Sequence, residues 1–404
     1  MKRNDISGIT IILCFAIVLM LALGLVFTLG RGAQDKTDLS ALQALAETIQ
    51  SQYYFYDDKQ LDDEKLLDAA MRGMISELDD PYAQYLTEEE YQKLLSDNAG
   101  DYVGIGISIQ MPDDVGAMVV SVYTGAPADL AGMQKGDVIT RVNGNTTAGK
   151  SLEEVITYLS DDIAVADEIT YLRDGEETTV SVLRAEVHIV RVTSRVISGS
   201  IGYVHISEFN GSVAADFSSA VSALREQGVE NLIIDLRDNP GGGLTEVLNV
   251  AYTMIPKGDV IVSIRAKNGD EDVYKSEGSE PISMGLAVLV NGNSASASEL
   301  LTGALKDYGL ATIVGTQTFG KGIVQSYFHL GSGNGWAKMT TDAYFTPNGV
   351  SIHGIGITPD IVVDLPQELK STSIDLLDPA QDTQLQAAIA VFTKTVRSAA
   401  DENR

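Results

Sequence analysis

An unbroken apolar run, Leu286-Ala287-Val288-Leu289-Val290, is followed by Asn293-Ser294-Ala295-Ser296-Ala297-Ser298-Glu299 and then by a helical pattern reaching Lys306. A short run without polar interruption is the mark of a strand buried on both faces, and its handover to a helix is the repeating unit of an α/β sheet. A serine at such a handover carries its hydroxyl to the helix N-terminus, where N–H groups lacking intrahelical partners can stabilise a developing oxyanion. Serine and asparagine are also ordinary helix caps, so Ser296 needs further parts before it reads as a nucleophile.

Those parts lie on either side. Residues 188–365 continue the alternation, with strand patterns at 201–206, 232–236 and 286–290 and helical patterns near 214–227 and 244–254, and largely parallel connections are expected. A second handover, Arg237-Asp238-Asn239-Pro240-Gly241-Gly242-Gly243, has the glycines that let successive N–H groups face an anion. Downstream, Lys321 stands between Gly320 and Gly322, with Gln325 four residues on. A free lysine is uncharged in only roughly one molecule in 2,500 at pH 7, so Lys321 can act as a base only where burial lowers its pKa. Its apolar neighbours Phe319, Ile323 and Val324 suit that role. Only four histidines are present, and neither a Gly-x-Ser-x-Gly elbow nor a Ser-x-x-Lys run occurs. The span Gly315 to Lys321 has the skeleton of a P-loop, but Gly322 stands where a serine or threonine would reach magnesium.

The chain has 404 residues, 44% of them hydrophobic, which is enough for several domains with real cores. Fifty-six acids against 28 bases give a net charge of -28, which disfavours nucleic acid and anionic membrane surfaces as partners. Residues 9–29 are almost wholly apolar and read as a membrane-spanning signal anchor, preceded by Lys2 and Arg3, which predict a cytoplasmic N-terminus and an extracytoplasmic body. A cleaved signal peptide is the competing reading. The single cysteine, Cys14, falls inside this segment and excludes a disulfide framework.

Composition then divides the chain into a stub, anchor and linker at 1–36, a helical segment at 37–100, a β-rich module at 101–187, an α/β core at 188–370 and a helical tail at 371–404. In the first helical segment Leu39, Leu42, Leu45 and Ile49 share a face, and Thr87 with Glu90 forms a capping-box signature. The β-rich module has short strands with Gly and Asn turns, a hairpin at 173–176 and one helix at 151–159. Its strand from Gly104-Ile105-Gly106-Ile107 is suited to pairing with an added peptide strand.

These motifs together resemble the carboxyl-terminal processing, or tail-specific, serine proteases. The resemblance runs through Leu78-Asp79-Asp80-Pro81-Tyr82, Gly104-Ile105-Gly106, Ala126-Pro127-Ala128, Gly136-Asp137-Val138-Ile139, Asp235-Leu236-Arg237-Asp238-Asn239, Ser294 to Glu299, Thr318 to Gly322 and Tyr344 to Gly349. It implies Ser296 as nucleophile, Lys321 as general base and Gln325 as the partner orienting it. The same resemblance gives the Ala297 N–H and one N–H of Gly241 or Gly242 as the oxyanion hole. It also implies a PDZ domain at 101–187 that captures free C-termini through Gly104, Ile105, Gly106 and Ile107, or gates the catalytic site. The expected protein is thus a membrane-anchored serine endopeptidase acting on C-terminal tails through an acyl-enzyme, a route that needs neither metal nor cofactor. A homodimer through the terminal helical segments and an activating partner are compatible with that resemblance, and a catalytically silent PDZ scaffold is the alternative.

Overall fold

The computed structural model describes residues 39–401 apart from 100, 112–115, 124, 161, 332, 334 and 371. They fall into two compact units, one ending at Met74 and one beginning at Ile75. The first contains α1 (Ser40–Gln52) and most of α2 (Asp63–Ser76). Both are amphipathic in sequence, yet neither buries a residue, and Leu42 and Leu45 on the apolar face of α1 stay exposed.

The second unit opens with β1 (Gln84–Leu86) and α3 (Glu88–Ala99). The capping box that starts α3 forms as the sequence predicts, Thr87 N–H donating to Glu90 and Glu90 N–H donating to the Thr87 hydroxyl. A β-rich module follows, built from β2 (Asp101–Gly104), β3 (Ile107–Gln110), β4 (Ala117–Val122), α4 (Pro127–Leu130), β5 (Val138–Val142), β6 (Asn145–Thr146), α5 (Leu152–Ile156), β7 (Asp167–Arg173), β8 (Glu176–Val182) and β9 (Ala185–His188). Strands β3-β4-β5-β7-β8 form an antiparallel sheet with β3 at its edge, and β2 pairs with β9 as a separate ribbon. The continuous strand expected from Gly104 through Ile107 is therefore interrupted at Ile105 and Gly106, and the expected helix at 151–159 is only the five residues of α5.

The remainder holds β10 (Val192–Ser198), β11 (Ile201–Ile206), α6 (Val213–Glu226), β12 (Asn231–Asp235), α7 (Leu244–Tyr252), β13 (Val260–Ala266), β14 (Glu271–Lys275) and β15 (Gly285–Val290). It continues with α8 (Ala297–Asp307), β16 (Ala311–Gly315), β17 (Ile323–His329), β18 (Trp336–Phe345), β19 (Ile361–Val362) and α9 (Thr383–Asp401). The main sheet runs β10-β11-β12-β15-β16-β19, parallel except for the antiparallel edge strand β10. Side-chain alternation sorts its two faces: Leu232, Ile234, Val288 and Val290 pack on one core with α6, α7 and α8, while Ile233, Ala287 and Leu289 pack with Leu385, Ala388 and Phe392 of α9. Each large side chain so buried contributes about 1.5–3 kcal/mol. A second, antiparallel sheet, β1-β18-β13-β14 with β17 on β18, closes over the first.

One expectation requires correction. Among the described residues no helix is long and apolar enough to cross a membrane, and the longest, α9, intersperses polar Gln384, Gln386 and Thr393 with its apolar face. The span expected at residues 9–29 lies outside the described residues. The transmembrane helix in the expected fold, the signal anchor, the membrane anchoring of the expected protease, the membrane as a partner and the single-pass, extracytoplasmic placement are therefore corrected: the structure supports none of them.

Candidate active site

Three loops leave the carboxyl ends of neighbouring parallel strands: 236–243 after β12, 291–296 after β15 and 316–322 after β16. This edge is where open α/β sheets place their ligands, because the helix N-termini converge there. The loops and β17 surround a cavity of about 760 Å³ lined by Ser296, Ala297, Gly241, Gly242, Lys321 and Gln325. All six residues singled out for catalysis from the sequence thus meet around one space.

Ser296 caps α8 with φ 54° and ψ −114°, left-handed backbone that a non-glycine residue adopts only under constraint. The constraints are visible. Its carbonyl accepts the Tyr344 hydroxyl at 2.9 Å, and its N–H donates to Glu299 Oε2 at 3.0 Å. Glu299 is fully buried, and its other contacts reach the lysine loop: Oε2 accepts the Lys321 N–H at 2.8 Å, while Oε1 accepts the Gly320 N–H at 2.7 Å and the Thr318 hydroxyl at 2.6 Å. One carboxylate therefore fixes the serine turn and the lysine loop to each other.

The glycine loop is stitched to the same turn by Asn239, whose carbonyl accepts the Ala295 N–H and the Ser298 hydroxyl, both at 3.0 Å. Gly241 passes so close that a Cβ there would lie 2.8 Å from Ser296 Cβ, so only glycine fits. Its N–H is already committed to Asn239 Oδ1 at 2.8 Å. Among the described residues the N–H groups of Gly242 and Ala297 have no acceptor. Of the three residues expected from the sequence to offer an oxyanion donor, these two therefore keep a free N–H at the cavity.

Lys321 is half-buried, and burial holds its ammonium below the usual lysine range; the charge of Lys338 adds to the effect and Asp80 opposes it. Its Nζ lies 4.6 Å from the centroid of the Tyr82 ring and makes no hydrogen bond to Ser296. Gln325 sits on strand β17, just after a bulge, and its Nε2 donates to the Thr340 hydroxyl at 3.2 Å and not to Lys321. Asp80, held below its ordinary pKa against its burial by hydrogen bonds from Thr340 and the Tyr82 and Ala83 N–H groups, completes this corner. Sequence reasoning gave no role to Glu299, Tyr344, Asn239, Tyr82, Thr340 or Lys338. Tyr82, Asn239, Glu299 and Tyr344 do fall within motifs that carry the resemblance, and Glu299 has in addition the Ser-x-x-Glu spacing of a capping box.

In the β-rich module Gly104 and Ile105 are buried, and Ile107 begins the edge strand β3. The N–H groups of Ile105 and Gly106 have no acceptor among the described residues. Gly106 has φ +79°, and a Cβ there would meet Ala126 Cβ at 2.1 Å.

A strained serine at a helix N-terminus, unpaired N–H groups beside it and a partly desolvated lysine in the same cavity make up the apparatus of acyl transfer, and define a serine hydrolase on an α/β scaffold. Comparison with known proteins narrows this class. Residues 200–363 match Peptidase family S41, residues 103–183 match the PDZ domain, and residues 29–90 match the family described as the activating protease CtpB N-terminal domain. A "Probable CtpA-like serine protease" of Staphylococcus aureus strain N315 is 37% identical over 340 residues, 84% of this chain and 67% of the relative. A protein of the same description from Staphylococcus epidermidis is 33% identical over 340 residues, 84% of this chain and 68% of its own length. The fold is also similar to that of a Bacteroides fragilis protein described as an S41 protease, with a TM-score of 0.53 at 16% identity over 81% of this chain and 90% of that one. The chain belongs to the CtpA-like S41 family of tail-specific serine proteases with a PDZ domain, and its activity is that of a serine-type C-terminal processing protease.

Proposed function

We propose that the chain hydrolyses peptide bonds in proteins with exposed C-terminal tails, with Ser296 as nucleophile, Lys321 as general base, and the Ala297 and Gly242 N–H groups as oxyanion donors. The convergence of Ser296, Lys321 and two unpaired N–H groups on one cavity carries this reading. In the first step Ser296 Oγ bonds to the scissile carbonyl carbon as its proton passes to Lys321 Nζ. The tetrahedral oxyanion is held by the two N–H groups, and its collapse expels the amine, which leaves with the proton from Lys321. Lys321 then takes a proton from water, the hydroxide attacks the acyl carbon, and the Ser296 hydroxyl is restored. Because the amine rests over Tyr82 in this structure, it must leave the ring before the first transfer. Gln325 orients it once there.

The segments 101–187 and 188–370 are proposed as substrate-recognition and catalytic domains, with the Ile105 and Gly106 N–H groups receiving a terminal carboxylate and β3 pairing with the tail. Ser296→Ala and Lys321→Ala test the chemistry. Each should reduce turnover of a tailed substrate to background with circular dichroism unchanged, and so should Lys321→Arg, since a guanidinium stays protonated. Appreciable turnover by either alanine variant overturns the assignment.

A further inference from the structure

Lys321 shares its cavity with a second lysine. Lys338, on β18, is half-buried and lines the same space. In a chain with 56 acids and 28 bases, neither lysine has a carboxylate at ion-pair distance among the described residues. Each rests on an aromatic ring instead, Lys321 on Tyr82 at 4.6 Å and Lys338 on Tyr327 at 6.0 Å from the centroid. The register explains the placement: Lys338 lies opposite Tyr327 of β17 and Gln84 of β1, and two residues on, Thr340 lies opposite Gln325. The strand period of two therefore puts Lys338 on the face of β18 that carries the Gln325 contact.

We infer that Lys338 is a positioning residue for catalysis, its ammonium opposing a second positive charge in the cavity and so keeping the Lys321 amine uncharged for the general-base step. The inference rests on Lys321 being that base. Two like charges confined together disfavour one another's charged forms, and a lysine beside a cation is a recognised way of activating an amine. The other groups around Lys321 do not substitute for it. Asp80 and the Tyr82 ring favour the ammonium. Glu299 is saturated by four donors, and Ser296, Gln325, Thr340 and Tyr344 are uncharged. Glu208 and Glu246 also line the cavity but are engaged, the first by Arg191 and Asn210 and the second by the Ala214 N–H. Burial lowers the Lys321 pKa most, and Lys338 contributes in the same direction.

The test is the pH profile of kcat/KM for the full chain on a peptide with a free C-terminal tail, from about pH 6 to about pH 10. A neutral base gives a rate that rises with pH through the Lys321 pKa. In Lys338→Gln the rising limb should move up by about one pH unit, a roughly tenfold loss below the limb that is recovered as pH rises. Lys338→Arg, which keeps the charge, should restore the parent limb. An NMR titration of the Lys321 amine in Ser296→Ala, with and without Lys338→Gln, should give the same displacement without turnover. An unmoved limb, or an equal loss at every pH, overturns the role of Lys338. Activity in Lys321→Ala would instead remove the base assignment itself, so the two failures are told apart.

Discussion

Glu299 illustrates how one side chain sets a site it never touches chemically. Its carboxylate accepts four donors, from Ser296, Thr318, Gly320 and Lys321, while fully buried. Glu299→Gln keeps one acceptor oxygen and turns an amide N–H₂ toward backbone N–H groups that need an acceptor. Leaving such donors buried and unpaired costs about 1–3 kcal/mol each. The variant should therefore lose about 2–4 kcal/mol in urea denaturation, and kcat should fall by more than tenfold because the strained Ser296 turn relaxes. Unchanged kcat with lowered stability would show that the turn holds without this tie. Ser296, Lys321 and the glycines were legible in the chain because their signals are local: a strand-to-helix handover and small residues flanking a single charge. Thr340 and Lys338 were not, because each is unremarkable among its neighbours and reaches the site only through strand pairing, while Tyr82 and Tyr344 stood in motifs that carried the resemblance but had no local pattern to give them a role.

At the scale of elements, the parallel sheet was readable from uninterrupted apolar runs, whereas the antiparallel β1-β18-β13-β14 sheet was not. Its strands β17 and β18 are half-exposed and mix Lys, Thr, Ser and Asp with apolar residues, so no period of two stands out. The relation of Gln325 to Lys321, a helical-turn spacing in the chain, proved to be a loop followed by a bulged strand. The docking of α9 has a definite electrostatic anchor. Arg237, 1% exposed, donates to Asp235 and also to Asp382 at 3.0 and 2.8 Å and Gln384 at 3.1 Å. Burial works against the Arg237 charge, but the two carboxylates outweigh it and raise its pKa further. Asp382→Ala leaves part of this buried guanidinium without its partner and should cost about 3 kcal/mol. Hydrogen exchange should rise first in residues 383–393, and uniform protection loss across the whole sheet would contradict an anchor confined to α9.

At the scale of the whole molecule, the proposed function separates recognition from chemistry: the Ile105 and Gly106 N–H groups proposed to donate to a terminal carboxylate belong to the module, and Ser296, the proposed nucleophile, to the α/β body. A tail peptide amidated at its C-terminus should accordingly show KM raised about tenfold with kcat changed less than twofold, since charged hydrogen bonds contribute about 1.5–3 kcal/mol to binding. Equal KM for acid and amide would remove the terminal carboxylate as the handle. The chain path through this unit has one more implication. The module leaves and rejoins the body through β2 and β9, whose outermost residues, Asp101 and His188, are direct antiparallel partners. Entry and exit are thus side by side, while β1, which precedes the module, is woven into the same sheet as β18, which follows it. The module is an inserted cassette: a short turn could bridge the gap left by its excision, so its specificity is free to be exchanged or lost in evolution without unravelling the hydrolase.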